Sequence, residues 1–116
     1  MSLSDDDFQQ TISSSRFTVV DFWNGGCMPC RVMLPVMDEL AKRHPDVLFC
    51  EVNTNKSVKL ATELNVLMVP TFVLFRDGKR VARISGAKPI EIFEEELQRY
   101  FFSQGTQEPG PYEDKE

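Results

Sequence analysis

Hydrophobic residues follow two different periods along this chain. Phe17-Thr18-Val19-Val20-Asp21-Phe22-Trp23 is an almost unbroken run of aromatic and β-branched residues, the pattern of a strand buried on both faces. From Pro29 to His44 the period lengthens: Met33, Val36, Met37, Leu40 and Ala41 recur at helical spacing, while Asp38/Lys42 and Glu39/Arg43 form i,i+4 pairs on the outer side. Pro29 suits the first turn of that helix, where its missing N–H is not needed, whereas Pro35 lies inside and predicts a kink. Pro45-Asp46 ends the helix, and Val47 to Val52 reads as a second buried strand.

Asn53 to Asn55 lead into a shorter helix carrying Val58, Leu60, Ala61 and Leu64. After Pro70, Thr71–Phe75 and Lys79–Ile84 flank Arg76-Asp77-Gly78, whose Asp-Gly pair predicts a hairpin turn. Pro89, Ile90, Phe93, Leu97, Tyr100 and Phe101 then mark a last amphipathic helix with Glu94, Glu95 and Arg99 outside. At the other end, Ser4 followed by Asp5, Asp6 and Asp7 predicts a capped helix running to about Ile12. A strand, a crossover helix and a strand make a parallel β-α-β half; the hairpin makes an antiparallel half. The predicted class is therefore α/β, a central mixed sheet with helices on both faces.

Composition narrows the picture. A chain of 116 residues that is 41% hydrophobic suits one globular domain, expected over 1–102, with a core that needs no metal or disulfide staple. Residues 103–116, with two Pro, two Gly and a largely charged or polar remainder, predict a disordered acidic tail. The formal charge of −5 sits mostly at the two ends, in Asp5–Asp7 and in that tail, so the body is nearly neutral. Without a basic face, nucleic-acid binding has no electrostatic support. No apolar run approaches membrane-spanning length, and the first thirty residues lack the pattern of a secretory signal, so the cytoplasm is the expected compartment.

The chemistry concentrates at Trp23-Asn24-Gly25-Gly26-Cys27-Met28-Pro29-Cys30-Arg31. Two thiols three positions apart at a helix start can close a small disulfide, and the free N–H groups there favour a thiolate. A lone Cys-x-x-Cys also occurs in zinc sites, but a structural zinc site needs four ligands. Beyond this pair the chain offers only His44 and Cys50, singly placed. A strand leading in and a helix leading out suit a redox dithiol. Cys50 alternates with Leu48 and Val52 in a strand and reads as packing.

Val20-Asp21-Phe22-Trp23, Cys27-Met28-Pro29-Cys30, Val69-Pro70-Thr71 and Ser85-Gly86-Ala87, in that order, resemble the thioredoxin family over roughly residues 5–102. The resemblance implies the thioredoxin fold and a thiol-disulfide oxidoreductase that reduces protein disulfides without a bound cofactor. By position it makes Cys27 the nucleophile and Cys30 the resolving thiol, in keeping with the open Gly25-Gly26 approach before Cys27. It makes Asp21, whose place in an apolar run should raise its pKa, the proton acceptor for Cys30. The alternative for Asp21 is a structural acid satisfied by local partners.

Read from the residues alone, the Val69–Pro70 bond is expected to be trans, at a simple strand-entry turn; the family instead places a cis-proline at Pro70 and pairs substrate backbone at the residue before it, Val69. Trp23, Gly25, Gly26, Met28, Pro29, Met68, Gly86 and Ala87 would complete a contact face for protein substrates, with Trp23 divided between that face and the core. Gly26 stands where a tryptophan is usual and Met28 where a glycine is usual, which alters that face. The implied partners are disulfide-bearing proteins and a thioredoxin-reductase-like electron donor, the chain acting as a monomer. Rival readings are an interaction module that retains the dithiol with little turnover, and an oxidase or isomerase differing in redox potential.

Overall fold

The computed structural model describes residues 1–102 of the chain. Strands β1 (Phe17–Trp23), β2 (Val47–Asn53), β3 (Thr71–Arg76) and β4 (Lys79–Ser85) form one mixed sheet in the order β2-β1-β3-β4. The β1–β2 pair is parallel, in a register that sets Phe17 beside Val47 and Asp21 beside Glu51. The β1–β3 and β3–β4 pairs are antiparallel. As the unbroken pattern of FTVVDFW predicts, β1 is central and buried from Phe17 to Phe22. The expected Asp-Gly hairpin forms, with Asp77 at φ 54° and Gly78 at φ 82°. Positive φ at both central residues gives a turn whose twist matches that of the strands it joins.

Helices cover both faces. Helices α1 (Phe8–Ser13) and α4 (Val58–Glu63) supply Phe8, Ile12 and Leu60 to one core, where they meet Val20, Phe22, Cys50, Val52, Val73 and Phe75. On the other face Met33, Leu40 of α3 (Leu34–Arg43) and Phe93 and Leu97 of α5 (Ile90–Leu97) pack on Val19, Phe72, Leu74 and Ile84. Phe72 meets Phe93 edge to face at 4.8 Å between ring centroids. Alternation along each strand divides its side chains between these two cores, so the sheet is buried without a long apolar segment.

Three boundaries differ from expectation for identifiable reasons. Ser4 does not cap α1: its N–H and hydroxyl both donate to Asp7, at 2.8 and 3.3 Å, closing a turn before the helix begins. Asp5 instead accepts the Leu60 N–H at 3.1 Å, satisfying a free donor in the first turn of α4. The helix expected over 29–44 is two helices, α2 (Met28–Val32) and α3, which meet at Met33. Pro35 has no N–H to continue the ladder, so it takes an early position in α3 where none is needed, and Met33 N–H turns back to Pro29 and Cys30 carbonyls. Finally, the last helix ends as a π-helical turn, Gln98–Phe102, that carries Phe101 onto Phe17 and Phe102 onto His44. The disorder expected of 103–116 lies outside the described residues.

The chain before α1 also has a place that the pattern did not indicate. Leu3 N–H donates to the Glu51 carbonyl and Glu51 N–H to the Met1 carbonyl, each at 2.8 Å, along the outer edge of β2. Occupying that edge removes part of a row of unpaired backbone groups.

Candidate active site

Strand β1 ends at Trp23, and the next residues turn sharply away from the sheet. Asn24 Oδ1 accepts the Gly26 N–H at 3.0 Å, a side-chain turn that leaves Gly25 and Gly26 exposed. Cys27 then stands at the N-cap of α2 in extended conformation, and its Sγ accepts the Cys30 N–H at 3.1 Å. Pro29 falls in the first turn. One helical turn brings the Cys27 and Cys30 Cα atoms to 5.3 Å, and the two sulfurs are joined as a disulfide. Cys50, by contrast, is buried in the opposite core, where desolvation pushes its thiol pKa up and disfavours the reactive thiolate.

The two sulfurs have different surroundings. Cys27 is flanked by exposed Gly26 and Met28, whereas Cys30 lines a cavity of about 320 Å³ with Asp21, Trp23, Asn24, Gly25, Arg31, Leu34 and Glu51. Asp21 is 7% exposed, and its buried Oδ1 has no hydrogen-bond partner among the described residues. Burial, and secondarily the charge of Glu51, push its pKa up to about 7. The ordinary carboxylate would be ionised and weakly basic at neutral pH; this one can both take and return a proton there.

The sheet register gathers the remaining predicted residues at the same end. Phe22 pairs with Thr71, and Thr71 with Ser85, so Val69-Pro70 and Gly86 lie at the sheet end where β1 delivers Trp23. The Val69–Pro70 bond is cis. Pro70 accepts the Gly86 N–H at 2.8 Å, and Gly86 turns at φ 85° with the Met68 methyl 3.9 Å from the position a Cβ would take. Trp23 is half-buried, and its indole nitrogen is enclosed. Met28 at 66%, Leu67 at 84% and Met68 at 47% exposure give this part of the surface its apolar character.

The family's sequence profile, described as thioredoxin, matches residues 1–99. The chain belongs to the thioredoxin family. It is 36% identical over 98 residues to a thioredoxin of Alicyclobacillus acidocaldarius, covering 84% of this chain and 93% of that one. It is also 36% identical over 100 residues to a chloroplastic M-type thioredoxin of Chlamydomonas reinhardtii, covering 84% of this chain and 71% of the relative. Among solved structures, the oxidised mitochondrial thioredoxin 3 of Saccharomyces cerevisiae superposes with a TM-score of 0.80 at 31% identity, covering 84% of this chain and 92% of that one. Thioredoxin f2 of C. reinhardtii gives 0.82 at 28% identity, covering 90% and 98%. The fold expected from the sequence is thus the fold observed, and this thioredoxin-family chain is a thiol-disulfide oxidoreductase.

Sequence reasoning did not single out Glu51, Arg31, Leu34 or Asn24 as neighbours of Asp21 and Cys30. For Glu51 a signal was present. Asp21 is the fifth residue of β1 and Glu51 the fifth of β2, so an in-register parallel pairing sets them side by side.

Proposed function

We propose that the chain reduces protein disulfides by dithiol exchange, with Cys27 as nucleophile, Cys30 as resolving thiol and Asp21 as the base that receives the Cys30 proton. The observation that carries this reading is the cavity shared by Cys30 and the buried Asp21, whose Oδ1 has no hydrogen-bond partner among the described residues, behind an N-cap Cys27. In the reduced protein the Cys27 thiolate attacks one sulfur of a target disulfide, releasing the other as a thiolate and leaving a mixed disulfide. Cys30 then loses its proton to Asp21 and attacks the Cys27 sulfur. The Cys27–Cys30 bond forms, the bond to the target breaks, and the second target sulfur leaves as a thiolate. Two electrons have passed to the target, and the oxidised form is the one the structure holds.

Trp23, Gly26, Met28, Pro29, Val69, Pro70 and Gly86 form the face that receives the target. Exposed Met28 and Met68 support this role, because flexible thioether side chains adapt to varied apolar partners. Val69 stands just before β3 at that end of the sheet, where its backbone would pair with an extended segment of the target. No helix among the described residues is long and apolar enough to cross a membrane, and the chemistry suits a reducing compartment such as the cytoplasm, with a thioredoxin-reductase-like enzyme restoring the dithiol and the chain working as a monomer.

The test is reductase- or dithiothreitol-driven reduction of a protein disulfide by the wild-type chain and by Cys27→Ser. The expected outcome is turnover for the first and background for the second. Background rates for both would overturn reductase activity and favour a binding module built on the same apolar face; a measured potential well above the reductase range would favour an oxidase or isomerase.

A further inference from the structure

Asp21 does not face the dithiol alone. Its register partner on the neighbouring parallel strand is Glu51, and adjacent strands lie only about 4.8 Å apart. Both carboxylates line the cavity that reaches Cys30, and both line a second cavity of about 330 Å³ beneath α3, together with Leu34, Met37 and Phe49. Asp21 is the enclosed member and Glu51 the half-buried one. Glu51 is also held in place, since the Ser2 hydroxyl donates to its Oε2 at 3.0 Å and the backbones of Met1 and Leu3 bond it on both sides.

We propose that Glu51 is a positioning residue of the resolving step, acting through Asp21: its charge, on the register-paired strand and in the same two cavities, strengthens Asp21 as the base for Cys30. This rests on the reading of Asp21 as the base for Cys30. A negative charge beside Asp21 in a partly dry site disfavours the Asp21 carboxylate, so Asp21 takes up a proton more readily than it would without that neighbour. The ionised Glu51 stabilises the Asp21–COOH that forms when Cys30 gives up its proton. Asp21 is thereby a stronger base, closer in proton affinity to the thiol it serves.

The other charged or titratable groups around Asp21 do not replace this effect. Arg31 of α2 lines the first cavity, but its guanidinium donates to the Gly25 carbonyl at 3.4 Å. Asp38 of α3 and Cys50 of β2 line the second cavity, and the Met1 amino group donates to the Phe49 carbonyl at 3.4 Å. Cys30 is the proton donor itself. The charge that raises the proton affinity of Asp21, beyond burial, is that of Glu51.

The experiment measures the single-turnover rate of protein-disulfide reduction by the reduced full-length chain between pH 5 and 9, for wild type, Glu51→Gln, Glu51→Lys and Asp21→Asn. Carbon-13 NMR titration of the Asp21 carboxyl accompanies it. Removing the neighbouring charge should lower the Asp21 midpoint by about one pH unit. A base weaker by that amount transfers protons roughly 3-fold more slowly. The two profiles should therefore cross, Glu51→Gln being slower than wild type above pH 7 and faster near pH 5, where more of its Asp21 is ionised. Glu51→Lys should move the midpoint further in the same direction and reports independently should Gln disturb the fold. Asp21→Asn should remove the part of the acid limb that follows the Asp21 midpoint.

A Glu51→Gln profile and midpoint that match wild type, with Asp21→Asn still lacking its part of the acid limb, overturn the role of Glu51 and leave Asp21 as the base. A uniform loss of rate at every pH, without a shifted midpoint, also overturns it, as that is what a structural role predicts. An Asp21→Asn profile indistinguishable from wild type overturns the underlying reading.

Discussion

At the scale of single residues, the asymmetry between the two active-site sulfurs carries the chemistry. Cys27 stands at the helix cap with its sulfur accepting a backbone N–H, bordered by exposed Gly26 and Met28. Cys30 is one turn further in, on the wall of the cavity that holds Asp21. A backbone N–H aimed at the Cys27 sulfur, able to stabilise its thiolate once the disulfide is reduced, and exposed neighbours on either side support the attacking role proposed for Cys27; the cavity position of Cys30 suits the proposed resolving role. Cys30→Ser should therefore accumulate mixed disulfides with target proteins that dithiothreitol releases, visible on non-reducing gels, while Cys27→Ser should accumulate none. Equal trapping by both variants, or adducts carried by Cys50, would reverse or remove these roles.

Among the elements, what was legible in the sequence depended on how far away the deciding contact lay. The strand over Phe17–Trp23, the Asp77-Gly78 turn and the final amphipathic helix were readable because periodicity and turn chemistry are local. So was the site at Cys27 and Cys30, since their spacing alone brings the two sulfurs together. The carboxylate of Asp5 on α4, the residues before Ser4 along β2, and Glu51 beside Asp21 were not, because each joins segments about fifty residues apart or depends on register. Pro35 gave a partial signal: a kink was readable, but the division into two helices with Met33 buried between them is decided by packing.

The link between α3 and α5 is of the same long-range kind. Glu94 accepts from Arg43 Nη1 at 2.8 Å and meets His44 Nε2 at 2.6 Å, so one carboxylate ties the end of α3 to α5. The hydrogen bond from Arg43 holds its pKa below the ordinary carboxylate value, with that from His44 acting in the same direction. A depressed pKa means stability that is present above the ordinary glutamate range and lost as pH falls through the lowered value. Glu94→Gln should therefore lower stability by about 1 kcal/mol near neutral pH, the modest figure expected of a partly exposed charged contact. The difference should shrink in acid. Urea denaturation at pH 7 and pH 3 checks this, and an equal loss at both would assign the effect to packing instead.

For the molecule as a whole, the most consequential feature is an ionisable group at the centre of the sheet. Asp21 occupies an inner strand, is 7% exposed and leaves a buried oxygen without a partner among the described residues. Burial, then Glu51, raise its pKa from 3.8 to about 7 in the folded state. Below about pH 4 the carboxyl is protonated whether the chain is folded or not, and the site costs nothing in charge. As pH rises from 4 towards 7 the unfolded chain releases the proton while the folded chain retains it, so stability falls; above 7 both states are ionised and the loss is complete. A shift of that size corresponds to a loss of order 4 kcal/mol. Asp21→Asn should therefore unfold at markedly higher denaturant concentration than wild type at pH 8 and at nearly the same concentration at pH 4. The same substitution removes the carboxyl proposed as the base for Cys30, so protein-disulfide reduction near neutral pH should slow while the fold gains stability. An active site optimised only for folding would not keep a carboxylate there; opposite movements of midpoint and rate are the signature of one kept for proton transfer. A variant that gains stability at pH 8 with its rate unchanged would leave Asp21 a structural burden with no part in the exchange.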